Sequence, residues 1–152
     1  MFSELVVVSG SVLVVVAVAM VITAVVARRL NRVSVVDVTW GLAFVAAAVV
    51  CALVGPSLTD ADAWRAWLLV ILVGVWGGRL AWHILKRSRG HGDDPRYVKL
   101  LGGEIDDGHF GDAVRKVFVI QGLAVWLVSL PLQAAGVTDV RWPRLVLSLI
   151  HI

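Results

Sequence analysis

Charge is scarce in this chain. Of its 152 residues, 16% are charged and 59% hydrophobic, with a mean hydropathy of +0.88. A soluble domain carries about a quarter charged residues, so that class is excluded. The single cysteine, Cys51, excludes an intrachain disulfide and lies inside an apolar run, where it reads as a small packing residue. Heptads, internal repeats and low-complexity tracts are absent, and so is any Walker or dinucleotide fingerprint of the strand–turn–helix kind. Hydrophobic residues are plentiful, and they fall in unbroken runs rather than at helical or strand periods. Such runs point to helices that are apolar all round.

Four stretches reach the roughly 20 residues that span a bilayer: approximately 5–27, 33–54, 64–85 and 117–135. The sequence therefore predicts an all-α, polytopic membrane protein with four transmembrane helices, its domain covering 1–146. The first stretch is not a signal peptide, because "MFSE" carries Glu4 and no basic residue, and the apolar run exceeds a signal core. Basic residues cluster at 28–32 ("RRLNR") and across 86–116, whereas 55–63 ("GPSLTDADA") holds only acids. By the positive-inside rule the N-terminus and 55–63 face outward and the two basic segments face the cytoplasm. Trp64 and Trp67 fit an outer aromatic belt, and Trp40 and Trp82 an inner one. The isoelectric point of about 9.6 is then explained by anionic lipid, with no nucleic acid as partner.

Polar residues inside the spans are the candidates for function, since burying a charge in lipid is costly unless it is paired or hydrated. Asp37 lies about four residues into the second span, roughly 6 Å deep at 1.5 Å per residue. Arg79 lies six residues from the end of the third, roughly 9 Å deep by the same rise. Gln121 and His83 sit at similar levels. Their convergence predicts a polar pocket opening inward, with Asp37 facing Arg79. Gly74, Gly77 and Gly78 thin the third span beside Arg79 and permit close approach of a backbone or ligand. The plainer reading makes Asp37 interfacial, with Arg79 snorkelling to the headgroups along its aliphatic stem.

A second candidate is the loop "KRSRGHGDDPRYVKLLGGEIDDGHFGD" at 86–112. Guanidinium groups and glycine-exposed amides suit phosphate. His91, Asp93, Asp94, Asp106, Asp107 and His109 match no recognised metal-ligand spacing, so no metal is expected.

Taken together, "NRVSVVDVTWG" (31–41) and "VWGGRLAWHILKRSRGHGDDPRY" (75–97) resemble the bacterial domain-of-unknown-function branch of the steroid 5-alpha-reductase-like membrane proteins. The matching positions are Asn31, Ser34, Asp37, Trp40, Gly41, Trp76, Arg79, Leu80, Arg87, Asp94, Arg96 and Tyr97. The resemblance implies an oxidoreductase that uses NADPH from the cytoplasmic side to reduce the carbon–carbon double bond of a hydrophobic, steroid- or lipid-like enone. It implies cofactor contacts at Arg79, Arg87, Asp94, Arg96 and Tyr97, and chemistry at Asp37 and Trp76. The chain departs from the pattern where steroid reductases place a tyrosine, three residues before the arginine. Trp76 stands there, and an indole N–H donates a hydrogen bond but supplies no proton.

The C-terminal spans expected of that family are not in the sequence. The last residues, "LSLIHI" (147–152), read as a non-native tail and the chain as an N-terminal part, inactive alone. Two further readings stay open: a membrane methyltransferase of the isoprenylcysteine type, and a non-enzymatic helical subunit.

Overall fold

The computed structural model describes residues 2–59, 63–88, 93–103, 105 and 108–138. Every regular element among them is helical. The long apolar runs become α1 (Phe2–Leu30), α2 (Val35–Leu58) and α3 (Ala63–Ser88), each long and apolar enough to cross a membrane. A short α4 (Pro95–Leu101) follows. The next run is α5 (Phe110–Ala113), a π-helical turn (Val114–Phe118) and α6 (Val119–Val128), after which α7 (Leu130–Val137) bends away by 40°. Counting that bent run as one crossing gives four. The protein is a polytopic helical membrane protein. The expected tail at 147–152 lies outside the described residues.

The fourth crossing, predicted as one span over about 117–135, is broken in two, and Pro131 is the reason. Proline has no N–H to donate, and its ring clashes with the preceding turn, so the helix breaks two residues earlier, at Ser129. Side chains repair the break. Ser129 Oγ donates to the Trp126 carbonyl at 2.8 Å, and the fully buried Gln133 amide donates to the same carbonyl at 3.1 Å and to Ser129 Oγ at 2.8 Å.

Small residues set the helix spacing. Gly41 of α2 lies against the backbone of Gly77 in α3, so closely that a Cβ on either would collide with the other's carbonyl oxygen. Gly55 meets the carbonyl of Gly136 in α7 in the same way. Association in lipid depends on such van der Waals contact rather than on a hydrophobic driving force. α2 is the central helix, packed on α1, α3 and α7. Across α1, Trp126 Nε1 donates to the Ser9 carbonyl at 3.2 Å and its hydroxyl at 3.1 Å, locking α6 in place.

The link between α1 and α2 is short because α1 stops sharply. Asn31 takes a left-handed conformation, φ 49°, and the amide of Arg32 returns to the Ala27 carbonyl at 3.0 Å. Asparagine is one of the few residues that adopts this geometry readily. The arginines and lysines that end α1 and α3 and those of the π-helical turn, Arg115 and Lys116, thereby gather at one end of the bundle, the basic end.

Candidate functional site

At the basic end, α2, α3 and α4 enclose a half-open cleft of about 940 Å3. Its floor is Trp40, Leu80 and Ile84, and its rim carries Arg32, Asp37, His83, Arg87, Asp94 and Arg96. The rim is built by the run Asp93-Asp94-Pro95-Arg96-Tyr97, in which each residue has a separate job.

Asp93 caps another helix. Its carboxylate accepts from the amides of Val33 at 2.8 Å and Ser34 at 2.9 Å, immediately before α2. Those N–H groups open the helix and have no partner within it, so a carboxylate there satisfies them and complements the helix dipole. Asp94 caps its own helix, accepting from the Arg96 amide at 2.9 Å, with Pro95 at the first helical position. The same carboxylate grips the Arg96 guanidinium at 2.7–3.1 Å. Those Arg96 hydrogen bonds hold the Asp94 carboxyl below the usual carboxylate range. Arg96 also lies 3.8 Å from Asp37.

Tyr97 points inward from α4. Its hydroxyl donates to Asp37 Oδ1 at 2.7 Å, and burial first, then that hydrogen bond, pushes the phenol above its ordinary pKa. Asp37 is the third residue of α2, within its first turn, where a carboxylate favours the helix dipole. Arg32 donates to the Ser88 carbonyl at 3.0 Å, tying the start of α2 to the end of α3.

The expected Asp37–Arg79 pair is not formed. Asp37 is engaged by Tyr97 and Arg96, while Arg79 is exposed and makes no hydrogen bond or ion pair among the described residues. Helical phase explains this. α3 meets α2 through Gly77 and Ala81, and Arg79 lies two residues from both, hence on the far flank, one turn from His83. Of the three glycines expected to thin α3, Gly77 makes the close contact, while Gly74 and Gly78 face open space. Trp76 is half-exposed and packs edge-on against Phe44, 5.8 Å between ring centroids, rather than lining the cleft.

Other expected positions do meet. Gln121 accepts from Trp40 Nε1 at 2.5 Å, so α6 braces the cleft's aromatic wall. His83 and Arg87, one turn apart on α3, both line the cleft. His91, Asp106 and Asp107 lie outside the described residues. Asp93 was expected only as one of several loop acids, and its role as a long-range cap was missed. An aspartate before the Asp-Pro cap is not needed to cap α4, which Asp94 does, and that surplus was the available signal.

A membrane-embedded helical bundle with a charged cleft at one end is the class these features define. The chain belongs to the protein family of unknown function designated DUF1295, whose profile matches residues 23–151. No curated protein and no solved structure matches it.

Proposed function

We propose that the chain is part of a membrane-embedded, NADPH-dependent reductase acting on the carbon–carbon double bond of a steroid- or lipid-like enone. The proposal also takes the membrane to be the bacterial inner membrane, with the N-terminus outside and the basic end in the cytoplasm. One observation carries the reading: the cleft joins apolar walls to cations at the end of the bundle where lipid meets water. Cofactor sites are mostly apolar clefts of about 300–1,000 Å3 with a few convergent polar groups. The resemblance to steroid 5-alpha-reductase-like proteins supplies the reaction class.

The donor set fits a phosphate-bearing dinucleotide. Arg87 and His83 line the cleft and make no hydrogen bond or ion pair among the described residues, leaving their N–H groups for a ligand. Arg96 is held by Asp94, so its charge is largely balanced. Arg79, one turn beyond His83, would serve a ligand that extends along the outer flank of α3. NADPH, when bound, supplies the hydride. In this chain Asp94, Arg96 and Tyr97 shape the rim, and Trp40 and Leu80 exclude water from the apolar end. Asp37, with the Tyr97 hydroxyl on its Oδ1, is the group placed to hold or hand on a proton at the cleft. Trp76 packs the helices.

The test is NADPH consumption by the full-length protein in membrane vesicles supplied with a lipid-like enone. Formation of the saturated ketone, lost on Asp37→Asn and reduced on Arg87→Gln, is the expected result. Methyl transfer from S-adenosylmethionine to the carboxylate of an isoprenylated cysteine, with no NADPH consumption, would favour the methyltransferase reading instead.

A further inference from the structure

A second concavity lies between α1 and the run from the π turn into α6, and it shares no lining residue with the polar cleft. It holds about 250 Å3, and its walls are almost wholly apolar, including Val16, Met20 and Ala24 on one side and Val114, Phe118 and Gly122 on the other. Gly122 keeps it open: a Cβ there would stand 3.1 Å from Met20 Cγ and 3.8 Å from Val16 Cγ1. The groove runs along α1 from Leu13 to Ala24. The eleven residue-to-residue steps from Leu13 to Ala24 rise roughly 16 Å, about half of a ~30 Å hydrocarbon core. That is the depth of one leaflet. Because both walls belong to helices able to cross the membrane, the groove opens to acyl chains rather than to water.

Its mouth is charged. Val16, Met20 and Ala24 recur every four residues, and the next position in that row is Arg28, whose guanidinium lies 5.0 Å over the Phe110 ring. On the facing wall Arg115 is exposed one turn before Val119. The acid nearest in that helix, Asp112, is engaged by Lys116 at 2.8 Å. Arg28 and Arg115, one on each wall, thus stand within a helical turn of the lining residues Ala24 and Val119, at the basic end of a leaflet-deep apolar groove. Guanidinium forks bind phosphate with directed, charge-assisted hydrogen bonds.

We propose that this groove is a specific site for an anionic phospholipid, one acyl chain between α1 and α6 and the headgroup phosphate bridged by Arg28 and Arg115. A zwitterionic lipid would bring its own cation to the two arginines and bind less well. A single groove accepts a single chain, so a lysolipid should compete. The site is independent of the reductase reading.

Native mass spectrometry of the full chain in neutral detergent tests it, with palmitoyl-oleoyl phosphatidylglycerol and the matching phosphatidylcholine as probes. The wild type should retain one phosphatidylglycerol about tenfold more tightly than phosphatidylcholine, the size expected of charged hydrogen bonds. Arg28→Gln with Arg115→Gln should abolish that preference. Ala17→Trp, filling the groove from α1, should exclude both lipids. Lysophosphatidylglycerol should displace the bound lipid, and inorganic phosphate should not. Equal retention of the two lipids by the wild type would overturn the proposal without recourse to any variant. So would an undiminished preference in the double variant, or displacement by phosphate alone.

Discussion

The Tyr97 hydroxyl donates to Asp37 Oδ1 at 2.7 Å, joining α4 to the first turn of α2 across sixty residues of sequence. This bond decides how the basic end is built. α4 is only seven residues long, too short to be stable alone, so its position depends on what it grips. Tyr97→Phe removes the donor and leaves a half-buried carboxylate oxygen without it. Thermal unfolding in detergent should show a loss of about 1–3 kcal/mol. An unchanged midpoint would mean that α4 is held by other contacts.

Asp93 gives a second, separable prediction. Asp93→Ala strips the cap from the Val33 and Ser34 amides and should cost about 1–2 kcal/mol. Asp93→Asn retains an oxygen acceptor and should cost less. Amide hydrogen exchange at residues 33–36 reads this directly, with faster exchange expected in Asp93→Ala.

The two titrating groups of α4 act at opposite ends of the pH scale. Asp94 has a lowered folded pKa, caused first by its hydrogen bond from Arg96. Its contribution is complete above the unfolded value of about 3.9 and is lost as pH falls through the lower folded value. Tyr97 has a raised folded pKa, chiefly from burial. Its contribution is complete below the unfolded value of about 10 and is lost only as pH rises through the higher folded value. Exchange protection of α4 should therefore be level between roughly pH 5 and 9 and fall outside it. A step near neutrality would contradict these assignments.

Glycine substitutions should divide by neighbour. Gly78 faces open space, so Gly78→Ala should be neutral or stabilise α3 by up to about 1 kcal/mol through helix propensity. Gly41→Ala puts a methyl group into the Gly77 carbonyl and should force α2 and α3 apart. A lowered unfolding midpoint for Gly41→Ala alone is the expected outcome. Equal effects at both positions would argue against the α2–α3 contact.

The spans were legible because lipid demands long apolar helices and the composition supplies them. The cleft was legible in part: residue depth can be counted along a helix, so Asp37, Arg79, His83 and Gln121 were expected at one level, and of these Asp37 and His83 line the cleft while Gln121 braces Trp40. Helical phase was not legible. Whether Arg79 turns toward α2 depends on which glycine makes the contact, and Gly74, Gly77 and Gly78 look alike in sequence. Pro131 advertised the break in the fourth crossing, but its repair by Gln133 is a tertiary matter. The Asp-Asp-Pro-Arg-Tyr run looked like a ligand cradle because its residues suit phosphate. Most of its polar groups are instead spent on helix ends and on Asp37.

The central claim is that the cleft between α2, α3 and α4 takes an anionic cofactor through Arg87. Tryptophan fluorescence of the full-length protein in phosphatidylcholine nanodiscs, titrated with NADPH, tests it through Trp40 on the cleft wall. The account predicts saturable quenching, weakened about tenfold by Arg87→Gln, as expected for one charged hydrogen-bond partner, and absent from the Trp40→Phe variant. Quenching that persists unchanged in both variants, or no saturable quenching in the wild type, would contradict it.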